Sequence, residues 1–125
     1  MLPHSVSHRR PMGHASAVTP VAGLEALVGI RFNRPALLAQ AFVHKSYLNE
    51  NAEYTGESNE RLEFLGDALL GFVVAAQLFE EYAEASEGDL TKQRAALVQR
   101  DTLAAIARDR GWGASLIMGQ GEEAR

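Results

Sequence analysis

The chain has 125 residues, 46% hydrophobic and 22% charged, a balance that belongs to a folded domain and excludes the low-hydrophobicity, high-charge regime of disorder. Its net charge of −4 excludes a strongly cationic chain that would bind nucleic acid through overall charge alone. With no cysteine it forms neither a disulfide framework nor a thiolate metal site, which fits a reducing compartment and makes the cytoplasm the default location.

Residues 1–18 contain no acid and scatter His4, His8, Arg9, Arg10 and His14 among small residues. They lack the amphipathic period of a transit peptide, so residues 1–19 read as a flexible tail and residues 20–125 as one domain. Thr19 before Pro20 predicts a helix start, with Val21, Leu24, Leu27 and Val28 on one face. Asn33 is placed to cap a second helix holding Pro35 in its first turn, with Leu37, Leu38, Ala41 and Phe42 at helical spacing and an end near His44. Residues 49–58 are polar and aperiodic, a loop after which Ser58 or Asn59 caps a long third helix reaching about Tyr82. Ser86 and Asp89 fit a capping box that opens a fourth helix with Leu90, Leu97 and Val98. A fifth holds Leu103, Ile106 and Ala107 and stops at Gly111. No segment alternates at period two, so the expected fold class is all-α.

Successive residues of the third helix lie about 100° apart, which puts Leu62, Leu65, Leu69, Phe72, Ala76 and Phe79 in one apolar arc expected to face the core. Glu60, Glu63 and Asp67 lie opposite, followed on their own face by Gly71, Val74 and Leu78. Beyond its first two turns the helix is apolar all round, the pattern of a buried central helix. Its most apolar stretch, residues 62–79, carries two acids, and we expect no membrane-spanning segment.

Those two acids, Glu63 and Asp67, are four residues apart and stack on one face. At ~5 Å and an effective dielectric of ~20 they repel by roughly 3 kcal/mol. The helix macrodipole accounts for acids in the first turn but not for Asp67, two turns in. After Arg61, which sits about 100° away around the helix, no Lys or Arg occurs before Lys92. A divalent cation would hold both acids ionised, and oxygen ligation suits Mg²⁺ or Mn²⁺ better than Zn²⁺. An ion pair with Lys92 or Arg94 from a neighbouring helix would serve equally. Gly66 beside Asp67 costs ~1 kcal/mol of helix propensity, which points to a close approach to the backbone there.

The run NERLEFLGDALL, residues 59–70, resembles the signature of the ribonuclease III family. HKSY at residues 44–47 and EGDLTKQRAALV at residues 87–98 extend the resemblance, which covers roughly residues 22–125. It implies an α-helical endonuclease domain that homodimerises and cuts both strands of double-stranded RNA, as in RNA and rRNA processing. By position it makes Glu63 and Asp67 the first two metal-binding carboxylates, using Mg²⁺ or alternatively Mn²⁺, with Glu60 and Glu87 as further acids of the cleft. Phe64, close to the acidic face and away from the apolar arc, matches a residue of the dimer interface. Its alternative is cover by another helix of the same subunit. Lys92 and Arg94, with Arg100, Arg108 and Arg110, give the last two helices a basic tendency that suits RNA phosphates or a solvated face.

The resemblance also shows a gap. The family completes its site with a later D-x-x-E helix, and this chain reaches only GQGEEAR, residues 119–125, which resembles the loop leading toward it. The expected fold is therefore an endonuclease domain incomplete at its C-terminus. Two readings follow: a catalytic ribonuclease III seen in part, or a non-catalytic helical domain of the same fold that binds RNA or a protein.

Overall fold

The computed structural model describes residues 19–123, and the expected N-terminal tail lies outside them apart from Thr19. Seven α-helices occur among the described residues: α1 (Val21–Val28), α2 (Pro35–Ala41), α3 (Lys45–Glu50), α4 (Glu60–Glu81), α5 (Glu87–Val98), α6 (Arg100–Asp109) and α7 (Gln120–Glu123). A 3₁₀ turn, Trp112–Ser115, separates the last two. The described residues form no strand, only an isolated parallel bridge between Val43 and Ile117. The all-α expectation holds, and its five helices correspond to α1, α2, α4, α5 and α6.

Caps explain the small displacements. Thr19 does not cap α1, because its hydroxyl donates to Ser115 Oγ at 3.3 Å and ties the chain's start to the 3₁₀ turn. At α2 the N-cap is Arg34, one residue later than expected. The ring of Pro35 pushes the preceding residue out of the helical region, and Arg34 sits at φ −122°. Ser86 caps α5 as expected, accepting from Asp89 N at 3.1 Å. Gly111, after α6, has φ 69°, a left-handed conformation that glycine adopts without strain.

Three segments far apart in sequence meet at the corner between α2 and α3. Ile117 N donates to Phe42 O at 2.7 Å and His44 N to Ile117 O at 2.8 Å. Asn59 N donates to Val43 O at 2.8 Å, and Asn59 Nδ2 to Ala41 O at 3.1 Å. Val43, buried at this junction, joins Leu24 and Leu38 in the core beneath α1 and α2. The junction fixes where α4 begins.

The expectation of a buried α4 is corrected. Leu78 is its only buried residue, while Leu65, Leu69, Phe72 and Phe79 of the arc assigned to the core are exposed, the two phenylalanines by 71% and 73%. The helix is covered on the other side. The turn at residues 82–86 folds α5 back along α4, and Leu90 and Thr91 line one depression with Ala75 and Leu78. The covered stripe thus continues the line of Glu63 and Asp67, and nothing among the described residues packs over the opposite arc. Contrary to the expectation from sequence, α4 is by length and composition apolar enough to cross a membrane. Asp67 counts against that use, since a carboxylate near the bilayer centre costs about 3 kcal/mol.

Candidate functional site

The start of α4 is set by an unusual division of labour. Asn59 stands at the N-cap yet makes no side-chain capping bond, because its amide reaches back to Ala41 O. Ser58, buried one residue earlier, does the capping: Glu60 N donates to its Oγ at 3.3 Å, and that hydroxyl donates to the Glu60 carboxylate at 3.1 Å. Glu63 N donates to Asn59 O at 2.8 Å. The first turn of α4, which carries Glu60 and Glu63, is thereby tied to the α2–α3 corner.

The three acids of the signature occupy different settings. Glu60 is engaged by Ser58 and faces Lys45 Nζ at 4.0 Å. Both partners of that ion pair are about 60% exposed, so it contributes at most about 1 kcal/mol. Glu63 and Asp67 are exposed, and the Lys45–Glu60 contact is the only ion pair among the described residues. The alternative of an ion pair to Lys92 or Arg94 is therefore not formed. A like-charged, stacked and solvent-facing pair is left without a protein cation.

Glu87 lies elsewhere. It opens α5 and lines a shallow depression with Ala75, Phe79 and Arg94. Ala75 is eight residues past Asp67, about 12 Å along the helix axis, so Glu87 shares its depression with a later stretch of α4 than the one that carries the acids. No three His, Asp or Glu side chains among the described residues converge to hold a metal ion. Lys92 is exposed on α5, and Arg94 lies at the same depression as Glu87. Phe64 is 81% exposed at the rim of a cleft between α2 and α4 that Leu37, Gln40 and Leu62 line. No helix among the described residues covers it.

Sequence reasoning missed two residues at this site. Lys45 reaches Glu60, and Asn59 serves as an anchor and not a cap. Neither leaves a local signal, because both depend on a corner assembled from segments about fifteen residues apart.

A family model described as Ribonuclease-III-like matches residues 34–125. Ribonuclease 3 of Dehalococcoides mccartyi strain CBDB1 is 44% identical over 100 residues, covering 80% of this chain and 42% of that protein. Ribonuclease 3 of Bacillus cytotoxicus is 48% identical over 96 residues, covering 77% of this chain and 39% of that one. The fold is similar to the nuclease domain of ribonuclease III from Campylobacter jejuni, with a TM-score of 0.71 and 42% identity over 81% of this chain and 66% of that chain. That structure was described for flexibility in a region involved in dimer formation. The chain spans less than half the length of the curated relatives it matches. The signature acids, the helical order and these likenesses agree, and the chain belongs to the ribonuclease III family.

Proposed function

We propose that this chain contributes the first half of the metal site of an endoribonuclease that hydrolyses double-stranded RNA and leaves 5′-phosphate and 3′-hydroxyl ends. The reading rests on one observation above all: Glu63 and Asp67 stand exposed and stacked on α4 with no Lys or Arg paired to them among the described residues. Two carboxylates fit Mg²⁺, which takes one or two from the protein and fills the rest of its shell with water and phosphate oxygens, and Mn²⁺ would replace it. Zn²⁺ fits poorly, because no imidazole among the described residues joins the pair and the chain has no cysteine. When bound, the ion supplies an activated water and neutralises charge on the phosphate. The protein's part is to hold the two carboxylates in register through the anchored first turn of α4.

In this reading, acids from beyond residue 125 complete the site, and Glu60 and Glu87 serve as cleft acids that do not hold the ion by themselves. Lys92 and Arg94 meet RNA phosphates, Phe64 lies against a second copy in a homodimer, and the enzyme works in RNA processing, rRNA included, in the cytoplasm. A second reading, a non-catalytic domain that binds RNA or a protein, is favoured by the finding that no three acids among the described residues converge to hold a metal ion.

Asp67→Asn in the full-length protein separates the two. Losses outside the metal's own ligands already cost about 10–100-fold, so loss of a ligand should lower Mg²⁺-dependent cleavage of an RNA duplex by at least ~100-fold. Circular dichroism should show the helices unchanged. Near-normal Mg²⁺-dependent turnover would remove Asp67 from the site.

A further inference from the structure

The short helix α3 holds a distant part of the chain. Gly119 N donates to Ser46 Oγ at 2.8 Å, across 73 residues of sequence, and Gly121 N donates to Glu50 Oε1 at 3.4 Å. Gly119 is buried, and a Cβ there would stand 2.8 Å from the Ser46 carbonyl and closer still to the Glu50 carboxylate. Its backbone is not left-handed, so glycine is needed here for the close approach of α3 alone. Ser46 Oγ also lies 2.7 Å from His44 Nδ1. Whichever of those two atoms carries the proton between them, the hydroxyl oxygen keeps a lone pair for the Gly119 N–H.

The corner that seats Gly119 also seats the acidic helix. Val43 O accepts from Asn59 N at 2.8 Å, and Asn59 O accepts from Glu63 N at 2.8 Å. The neighbours of Val43 hold Ile117, whose N–H donates to Phe42 O and whose carbonyl accepts from His44 N. Residues 42–46 therefore fix residues 117–121 relative to the first turn of α4.

We propose that Ser46 is a positioning residue of the metal site: by seating Gly119 it sets the direction in which the chain runs on past residue 121, and so where the later acids stand relative to Glu63 and Asp67. The inference rests on the reading that acids from beyond residue 125 complete the site. In this role Ser46 holds neither the ion nor the RNA. Its removal leaves the N–H of a buried glycine without an acceptor, which loosens the segment. The bonds at Ile117 and the start of α4 do not involve the hydroxyl, so the fold survives its loss.

Duplex cleavage by the full-length protein, followed over a range of Mg²⁺ concentrations, tests this. Ser46→Ala should raise the Mg²⁺ concentration for half-maximal cleavage about fivefold, short of the roughly 10–100-fold lost when a direct partner of a metal ligand is removed. The KM for the duplex should not change. Gly119→Ala opens the same clasp from its other side and should shift the midpoint in the same direction. The double variant should do no more than Gly119→Ala alone, because both substitutions act through one contact. A wild-type midpoint in Ser46→Ala would overturn the proposal, as would additive shifts in the double variant. A uniform fall in rate at every Mg²⁺ concentration, the mark of lost folded protein, would overturn it too. Asp67→Asn assayed alongside keeps this role apart from the reading beneath it. Mg²⁺-dependent cleavage that survives Asp67→Asn removes the metal site itself, whereas cleavage lost in Asp67→Asn and unaltered in Ser46→Ala removes only the role of Ser46.

Discussion

Phe64 and Gly66 flank the acids on the open surface of α4, and each is a poor choice for a helix that stands alone. An aromatic ring 81% exposed gains nothing from burial within its own chain, so Phe64→Ala should change the melting temperature little while weakening self-association. Sedimentation of both proteins at matched concentrations in the full-length form checks this; an unchanged monomer–dimer balance would return Phe64 to the role of a solvent-facing side chain. For Gly66, a Cβ would meet nothing within 4 Å. Gly66→Ala should therefore stabilise α4 by about 1 kcal/mol through helix propensity alone. Duplex cleavage by the full-length variant should nonetheless fall if RNA or a second subunit approaches the backbone beside Asp67. Gains in both stability and activity would show that nothing needs that space.

The elements differ in how far their sequence determines them. Helices α4 and α5 are legible because capping residues and long apolar periods act locally, and Ser86 caps as read. The short α3 was invisible, since six residues show no period and its cap is a histidine. The stacking of Glu63 and Asp67 on one face was legible from spacing, but the covered face of α4 was not. Apolar residues surround that helix beyond its second turn, and periodicity alone cannot say which side a neighbour takes. The acidic side won because the turn after α4 brings α5 back along the face that holds Ala75 and Leu78. A matched pair of substitutions in the 125-residue chain makes this quantitative. Leu78→Ala should cost 2–5 kcal/mol, as a buried leucine does, at roughly the scale of the whole domain's stability. Phe72→Ala, at 71% exposure, should cost under about 1 kcal/mol by urea denaturation, against 3–5 for a phenylalanine in a core. Equal costs would mean that the arc is covered in solution.

The whole molecule combines an anchored helix start, two carboxylates without an ion-pair partner among the described residues and an apolar arc left open. Burying Leu65, Leu69, Phe72 and Phe79 would yield about 6–12 kcal/mol at 1.5–3 kcal/mol each, comparable to the net stability of a domain. The chain's charge gives a cation two places to go, since Glu80, Glu81, Glu84 and Glu87 form an acidic end at the turn after α4. The most direct test is therefore where a divalent ion binds. Mn²⁺ titrated into the ¹⁵N-labelled 125-residue chain should broaden amide resonances of residues 63–68 first, and Asp67→Asn should abolish that broadening while the spectrum stays folded. Broadening centred on residues 80–87, or undiminished at residues 63–68 in Asp67→Asn, would contradict the assignment of Glu63 and Asp67 as the metal-binding pair.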